Sequence, residues 1–479
     1  MNNYVSQKIS VSALNRFYAE NSEKGSSIHT LVIYKDGECL ARIASEPYDC
    51  ADKRQVYSLS KSFCSTAVGI ATDEGLFSLD DRIVDLFPES APEKISENLA
   101  QMTVRHILTM NSGTHTCHFS EVSRADDVAK AFLGADFPST PGTHFAYDTS
   151  ATLMLSALVQ KYAKMTVLDY LNAKLFGYMN ISDVRWQTTP HGICEGGVGI
   201  HVSADDIAKL GLLYLNRGMF NGKRLLSEKW ISEVSLPHSD TTNNGNLEWS
   251  VGYGYQFWNN AREGYRGDGA YGQLCMIFPE RQTVIAIQAE TQNMQEEING
   301  VYHLVDSMLC RDENSGEDLS LQQYPPLFGE TKEISFDGKL YVTEPNPMGV
   351  TSFYVCNESD NVMRFVMNVG DRELVIRAGN GYWIYGNRFT AKAMMPGLFP
   401  ILYLNTEREL TGAASYSLEK DCIKICFRLK NSPHTLFYSL SFDRDSATVS
   451  INSTTAHGLT PECKILKGRE AQICVCLRT

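Results

Sequence analysis

A serine and a lysine three residues apart are the pair in this chain best placed to do chemistry. They are Ser58 and Lys61, in the run 57–63. On a helix this spacing places both side chains on one face, one turn apart. A serine at a helix N-terminus lies in the positive end of the macrodipole, which favours a developing alkoxide. A lysine buried among apolar groups has a lowered pKa and becomes partly a neutral amine. The pair therefore predicts a serine nucleophile with a base within reach.

The spacing alone is weak support, because a chain of ordinary composition contains about one or two such tetrads by chance. Ser417 and Lys420 repeat it. That second tetrad carries a charged pair and is followed by Asp421, so it is interpreted as a strand end or turn. Only the surroundings of Ser58 distinguish the first tetrad from the second.

Length and composition indicate a soluble globular chain of at least two domains. It has 479 residues, 43% hydrophobic and 21% charged, with a formal net charge of −13. An acidic balance argues against a nucleic-acid or anionic-membrane partner, since either requires a basic face. Residues 1–8 do not resemble a signal peptide, and no apolar run is long enough to span a bilayer. A cytoplasmic location is therefore expected.

The cysteines indicate free thiols. There are 13, an odd number, scattered along the chain, which favours reduced thiols over a disulfide framework. Cys474 and Cys476 lack a second ligand pair at usable spacing, and the cluster of His115, Cys117 and His118 is interpreted as a solvated loop. No metal site is predicted.

The elements predicted around Ser58 are helices and antiparallel strands. Asp36-Gly37 between two β-rich runs predicts a hairpin, and Gly196-Gly197 predicts a tight turn or a close approach of the backbone. Helices are expected over 7–24, 58–75, 104–110, 151–163, 168–175, from Ser203 onward and over 295–309, and strands over 28–34, 38–44, 252–258, 273–278 and 283–288.

The pattern changes in the last third of the chain. Residues 313–332 are polar and turn-rich, with two adjacent prolines, and are interpreted as a linker between a domain over 1–312 and one over 333–479. From 333 onward the sequence shows short alternating strands with turn residues between them. This predicts an all-β domain, either a sandwich or a barrel.

The run 57–81 closely resembles the serine β-lactamase-like hydrolases, which include class C β-lactamases, penicillin-binding DD-peptidases, related esterases and D-amino-acid peptidases. Further matches lie at 105–108, 145–155, 196–211 and 252–273. The resemblance implies an α/β (α+β) fold in which an antiparallel sheet is flanked by helices and joined by an all-helical subdomain. It also implies that Ser58 is the nucleophile. The C-terminal β domain is an addition to this pattern.

The second motif of that family, Tyr-x-Asn, corresponds here to Tyr147-Asp148-Thr149. The resemblance implies that the Tyr147 phenol moves protons between nucleophile, leaving group and water. Thr149 stands where the family has asparagine, and it can supply one hydroxyl but no carboxamide. The alternative for Tyr147 is a partly buried aromatic at the start of a helix.

The third motif, Lys-Thr-Gly or His-x-Gly, corresponds to Gly267-Asp268-Gly269. The usual cation is missing, and Gly269 keeps the glycine that lets substrate lie close to the strand. The resemblance implies an oxyanion hole made by the backbone N–H groups of Ser58 and Ala270, which needs no particular side chain. Asp268 is either an acidic group in the site or a turn residue.

These departures bear on the substrate. The missing lysine makes β-lactamase and DD-carboxypeptidase activity less expected, and Arg266 should point away from the Gly267 face if the segment is extended. An acidic Asp268 would favour neutral or amine-bearing substrates, as for esterases, amidases and D-aminopeptidases. Ser359-Asp360-Asn361 spells the Ser-Asp-Asn motif of another β-lactamase class, but a hairpin turn is expected there.

The sequence thus predicts a serine hydrolase that acts through an acyl-enzyme on a small ester, amide or peptide, with no metal or organic cofactor and no nucleic-acid or membrane partner. Ser58, Lys61 and Tyr147 are the catalytic candidates. The alternatives are a weakly active penicillin-binding protein or β-lactamase, an acyltransferase, and a non-catalytic binding protein on the same fold. The β domain could bind a partner or sugar, or cover the cleft.

Overall fold

The computed structural model describes residues 3–309, 317–329, 337–346, 349–391, 408–419, 422–443, 445–454 and 464–474. Backbone contacts divide the chain into two compact units. The first comprises 1–44 and 49–322, and the second comprises 45–48 and 323–479. The proposed linker is described over 317–329, where it has neither helix nor strand, and its remaining residues lie outside the described ranges. The predicted boundaries at 312 and 333 stay a prediction.

A seven-stranded antiparallel sheet forms the centre of the first unit, in the order β1-β3-β2-β12-β11-β10-β9. The strands of the unit are β1 (Tyr4–Val5), β2 (Ser27–Lys35), β3 (Glu38–Ala44), β4 (Arg54–Gln55), β5 (Arg185–Trp186), β6 (Ile200–Val202), β7 (Met219–Phe220), β8 (Lys223–Arg224), β9 (Trp258–Asn259), β10 (Tyr265–Gly269), β11 (Gln273–Phe278) and β12 (Thr283–Glu290). β4, β5 and β6 form a small separate sheet, and β7 pairs with β8. The predicted hairpin is confirmed: Asp36 and Gly37 both have positive φ, as a tight β2–β3 turn requires.

Helices flank the sheet and form a separate cluster beside it. They are α1 (Val11–Glu23), α2 (Ser60–Asp73), α3 (Ile83–Leu86), α4 (Glu97–Gln101), α5 (Val104–Leu108), α6 (Phe119–Val122), α7 (Val128–Leu133), α8 (Thr149–Ala163), α9 (Val167–Leu171), α10 (Gly177–Met179), α11 (Ala204–Leu215), α12 (Glu228–Val234) and α13 (Met294–Ser307). In the described part of the chain, no helix is both long and apolar enough to cross a lipid bilayer.

Two layers of helix sandwich the sheet. α1 and α13 pack on one face, where Leu14, Phe17 and Val301 join a core with Ile33 and Ile285 of the strands. α11 packs on β2, β11 and β12. Its N-terminus has a capping box in which the side chains of Ser203 and Asp206 each accept from the other residue's backbone N–H. The α+β architecture implied by the sequence is therefore confirmed.

α2 runs through the interior with its sides covered. Residues 60–71 are all buried, so its polar side chains need internal partners. The hydroxyls of Ser62 and Ser65 donate to the backbone carbonyls of Gln256 and Tyr255 at 2.9 and 2.7 Å. These bonds fix α2, and with it Lys61, against the segment that leads into β9.

That segment corrects one prediction. The expected strand over 252–258 is irregular, and β9 begins only at Trp258. Gly252 and Gln256 have positive φ, and a Cβ at Gly254 would lie 2.0 Å from the Val234 carbonyl oxygen. The run is aromatic-rich and resembles a strand in composition, but its backbone bends to pack against α12 and α2.

The second unit is a ten-stranded sheet that closes on itself, so the all-β prediction is confirmed in its barrel form. Its strands are β13 (Lys339–Thr343), β14 (Val350–Ser359), β15 (Val362–Val369), β16 (Arg372–Gly379), β17 (Ile384–Ala391), β18 (Arg408–Glu419), β19 (Cys422–Leu429), β20 (Thr435–Asp443), β21 (Ser446–Ser453) and β22 (Lys464–Cys474). Neighbours in the order 16-15-14-13-22-21-20-19-18-17 are antiparallel, and β16 also meets β18 in parallel. Phe353, Phe365 and Tyr438 are among the side chains that fill its interior.

Both motif look-alikes lie in this unit. Ser359 ends β14, and Asp360-Asn361 forms the turn into β15. Ser417 lies inside β18, while Lys420 lies outside the described residues. Neither serine begins a helix, as the sequence predicted.

The packing of α2 yields a stability prediction. A Cβ at Gly69 would lie 2.7 Å from two indole atoms of Trp230 on α12 and 2.9 Å from Leu226. Gly69→Ala should lower the free energy of unfolding by about 1–3 kcal/mol because this contact is overpacked, despite the better helix propensity of alanine. Gly177→Ala in α10 is the matched control, since its nearest atom would be 3.5 Å away. Denaturant unfolding of both variants measures the difference, and equal stabilities would contradict the packing argument.

Candidate active site

Ser58 lies at the entrance to α2. It belongs to a 3₁₀ turn, Tyr57–Leu59, that leads directly into the helix. Tyr57 has a φ of +50°, a left-handed conformation that costs a non-glycine residue about 1–2 kcal/mol. The side chain of Ser58 is half-buried, unlike the fully buried residues that follow it. The serine is therefore held at the positive end of the helix with a route to solvent.

Lys61 is the buried partner of Ser58. Its side chain is 1% exposed. The Nζ atom donates to Ser58 Oγ at 3.1 Å, to Thr149 Oγ1 at 3.2 Å and to the Gly197 carbonyl oxygen at 2.9 Å. Three oxygens thus fix the position of the amine, and one of them belongs to the candidate nucleophile.

Burial controls the charge of this lysine. Desolvation lowers the pKa of Lys61 to about 8, although Cys117 and the carboxyl groups of Asp148 and Asp268 act in the opposite direction. At a pH slightly above 7, a minor but substantial fraction of Lys61 is a neutral amine. Such an amine can accept the proton of the serine hydroxyl that it contacts.

Tyr147 covers this pair from one side. Lys61 Nζ lies 4.7 Å from the centre of its ring. The ring stacks on Trp258 with centroids 5.6 Å apart, and Tyr253 meets it edge-on. Desolvation and the charge of Asp268 raise the pKa of Tyr147, which outweighs the opposite effect of a hydrogen bond with Ser58. The phenol is therefore neutral, so Lys61 is the better base of the two.

The start of α8 brings Thr149 to the lysine. Asp148 is the N-cap of the helix, and its carboxyl accepts from the N–H and hydroxyl of Ser150. Thr149 is the first helical residue and accepts from Lys61 through Oγ1. The structure thus brings the Thr149 hydroxyl into hydrogen-bond contact with Lys61.

One face of β10 borders Ser58. A Cβ at Gly269 would lie 2.0 Å from the Val56 carbonyl oxygen and 3.1 Å from the Ser58 amide nitrogen. At Gly267 it would lie 2.5 Å from Ser62 Oγ. Both glycines are therefore needed for the close approach of strand and helix entrance. The half-buried Ala270 follows Gly269 directly in the chain.

The other face of β10 carries Arg266 and Asp268. Asp268 Oδ2 accepts from Arg266 Nε at 3.1 Å and from Trp249 Nε1 at 3.0 Å. Arg266 is fully buried and also donates to Glu248 Oε2 at 3.2 Å. As expected, Arg266 points away from the Gly267 face. Asp268 lies within a strand and is no turn residue, and its charge is offset by Arg266, which weakens the argument for amine-bearing substrates.

The sequence did not predict several of the residues that lie near Ser58 and Lys61, or predicted their place only in part. Gly196-Gly197 predicted a close backbone approach, and a Cβ at Gly197 would lie 2.7 Å from Thr149 Cγ2 and 3.3 Å from Lys61 Nζ. Nothing in the sequence except the aromatic residues around Trp258 indicated that its ring stacks on Tyr147. Cys117 lies close enough to Thr149 and Asp148 for their hydrogen bonds to act on its thiol, although the sequence indicated only a solvated loop.

The site therefore offers a half-buried hydroxyl, a buried amine that is partly neutral, a neutral phenol and a strand edge with backbone N–H groups. This combination suits nucleophilic attack on a carbonyl group. Over the described ranges, no group of three or more His, Cys, Asp or Glu side chains is placed to hold a metal ion.

Known proteins with a similar sequence or fold include hydrolases. The 6-aminohexanoate-dimer hydrolase of Paenarthrobacter ureafaciens is 24% identical over 277 residues, which are 53% of this chain and 70% of that protein. EstCE1, described as a hydrolase with promiscuous acyltransferase activity, superimposes with a TM-score of 0.52 at 14% identity, over 62% of this chain and 97% of its own. SurE in complex with D-Leu superimposes with a TM-score of 0.52 at 15% identity, over 96% and 99%. These two structures share the fold.

The family model named Beta-lactamase matches residues 29–305. The match contains Ser58, Lys61, Tyr147 and the whole of β10, and it spans more than half of the 479 residues. The chain therefore belongs to the Beta-lactamase family, a family of hydrolases.

Proposed function

We propose that this protein is a serine hydrolase that cleaves small esters or amides through an acyl-enzyme on Ser58. One observation carries the proposal: the amine of a lysine with 1% exposure lies 3.1 Å from Ser58 Oγ. Its lowered pKa, about 8, makes that amine a competent base near neutral pH. A surface lysine at the same spacing would stay protonated and could not serve.

The first step forms the acyl-enzyme. Ser58 Oγ attacks the carbonyl carbon while its proton passes to Lys61 Nζ. As the tetrahedral intermediate collapses, the bond to the leaving oxygen or nitrogen breaks, and the neutral phenol of Tyr147 donates a proton to that atom. The proton held by Lys61 then restores the phenol. Water attacks the ester in the second step by the same route, with Lys61 as the base.

The backbone N–H groups of Ser58 and Ala270 bind the oxyanion in this proposal. The support is the contact of Gly269 with the Ser58 amide, which leaves no room for a side chain between strand and turn. Donors fixed before the reaction stabilise developing charge more effectively than mobile water does.

The substrate carries no anionic group that the site must recognise. Gly267 stands where the family has a cation. Arg266 cannot replace that cation, because its guanidinium donates to Glu248, Asn260 and Asp268. A neutral ester or amide fits this better than a carboxylate-bearing β-lactam or D-Ala-D-Ala peptide. The relative from P. ureafaciens is itself named a dimer hydrolase, in agreement with a small substrate.

Replacing the nucleophile gives the first test. Ser58→Ala should reduce hydrolysis of p-nitrophenyl acetate by about a thousandfold or more and abolish labelling by a fluorophosphonate, while the circular dichroism spectrum is unchanged. Ser359→Ala is the control, because that serine belongs to a literal β-lactamase motif but is the exposed last residue of β14. Hydrolysis that survives in Ser58→Ala would refute the assignment.

The close approach of β10 gives the second test. Gly269→Ala should lower kcat by about a hundredfold or more, since a Cβ 2.0 Å from the Val56 carbonyl forces the strand away from Ser58. KM should change less, because the oxyanion exists only after attack. A variant with wild-type kcat would show that this strand does not supply the oxyanion hole.

The lowered pKa of Lys61 gives the third. Only the neutral amine is a base, so kcat/KM should rise about tenfold per pH unit below pH 8 and bend near that value. The measurement is a pH profile of ester hydrolysis from pH 5.5 to 8.5, corrected for spontaneous hydrolysis. A flat profile over this range would contradict the role of Lys61.

A further inference from the structure

A further buried carboxyl group lies against the turn that follows the proposed oxyanion strand. Glu297 is the fourth residue of α13, and its side chain is 0% exposed. Among the residues that the structure describes, neither carboxyl oxygen has a hydrogen-bond partner. A buried carboxylate with no partner would cost several kcal/mol. The carboxyl group is therefore expected to be protonated, or to be kept for a functional role despite this energetic cost.

The carboxyl group fits into a space that Gly272 leaves open. A Cβ at Gly272 would lie 2.4 Å from Glu297 Oε2 and 2.9 Å from Oε1, and 2.9 Å from Ala289 Cβ. Gly272 lies in the turn between β10 and β11, two residues after Ala270. The Gly272 carbonyl also accepts from the Ala289 N–H at 3.0 Å. Glu297 thus packs directly on the segment that presents the Ala270 amide.

The surrounding charges disfavour a carboxylate there. Desolvation, followed by the negative charge of Asp268 on β10, raises the pKa of Glu297 to about 8. Arg266 lies on the same strand, but its contacts go to Asp268, Glu248 and Asn260. Glu248 precedes Trp249 in a 3₁₀ turn and is linked to α13 by its N–H, which donates to Gln295 Oε1.

Within the described part of the chain, Asp268 is the only charged group that shifts the pKa of Glu297. Asn21 of α1, which lies beside Gly300 of α13, has no ionisable side chain. Arg266 is therefore paired with Glu248 and Asp268, whereas Glu297 has no hydrogen-bond partner among the described residues.

We propose that protonated Glu297 is a positioning residue that packs against Gly272 and holds the β10–β11 turn in the geometry that presents the Ala270 amide to the oxyanion. The inference rests on the proposed function. Loss of the proton places a negative charge beside the turn, and this charge opposes the developing oxyanion. The ionised carboxylate also requires hydration, which displaces the turn. Glu297 would thereby set the upper pH limit of turnover, while Lys61 sets the lower one.

The effect on stability has a defined sign. In the folded chain, the pKa of Glu297 is raised above its ordinary value of 4.5. The folded state therefore binds this proton more tightly than the unfolded state does. The free energy of unfolding contributed by this group is fully present below about pH 4.5 and is lost as the pH rises through about 8.

Glu297→Gln tests the proposal, because glutamine keeps the shape and cannot ionise. Thermal unfolding and p-nitrophenyl acetate hydrolysis are measured at intervals from pH 5 to 9.5 for the full-length chain. The unfolding midpoint of the variant should lie nearest that of the wild type at pH 5, exceed it by a growing margin as the pH rises to about 8, and exceed it by a constant margin at higher pH. Its kcat, normalised to the fluorophosphonate-labelled fraction, should exceed that of the wild type by about three- to tenfold at pH 9.5, with KM unchanged.

Two further variants make the outcome decisive. Glu296→Gln removes a charge from the same helical turn at a residue that is not fully buried, and it should leave both pH dependences unchanged. Glu297→Met keeps the length without an ionisable group and replaces Glu297→Gln if that variant does not fold. A midpoint difference that is constant with pH would overturn the proposal. So would a midpoint difference that grows while the kcat ratio stays flat, because Glu297 would then act on stability alone.

The two proposals fail in different ways. If the wild type is neither labelled at Ser58 nor active, the proposed function fails and the positioning role falls with it. If Ser58 is labelled and turns over substrate but kcat at high pH is the same in wild type and Glu297→Gln, only the positioning role is refuted.

Discussion

The burial of one amine is the constraint on which the rest of the first unit depends. Lys61 lies inside a helix whose residues 60–71 are all buried, and it must satisfy its donors there. It does so on Ser58, Thr149 and Gly197, which come from three distant parts of the chain. The 3₁₀ turn before α2, the N-terminus of α8 and the diglycine turn before β6 all have to converge for this single group. In return, desolvation gives the amine a pKa at which it can act as a base.

Strand β10 separates two electrostatic environments. On the Ser58 side, glycines allow backbone N–H groups to lie beside the nucleophile without any added charge. On the far side, Arg266 is surrounded by Glu248 and Asp268. Over the described ranges, the carboxyl oxygens of Glu297, which pack against Gly272, have no hydrogen-bond partner. The strand can therefore be held rigidly by buried ion pairs while its reactive face stays neutral. This arrangement supports the strand without a charged side chain at position 267.

Much of the fold and the core of the site followed from local patterns. The β2–β3 hairpin, the start of α11 after Ser203 and the turn at Asp360-Asn361 all depend on residues close in sequence, which local propensities describe well. The spacing of Ser58 and Lys61 set their contact for the same reason. The strand predicted over 252–258 was wrong because tertiary packing against Val234 outweighed the strand-like composition of this run. Hydrophobic periodicity does not predict contacts between segments that are distant in sequence. Such contacts determine the stack of Trp258 on Tyr147, the position of Cys117 and the environment of Glu297.

The central claim is that Lys61 is a partly neutral amine beside Ser58 near physiological pH. Its most direct test is a ¹³C NMR titration of the lysine Cε signals, with the Lys61 signal assigned by its loss in Lys61→Met. The account predicts a midpoint near pH 8 for Lys61, well below the ordinary lysine value of about 10.4. A Lys61 signal that remains that of an ammonium group up to pH 10 would contradict it.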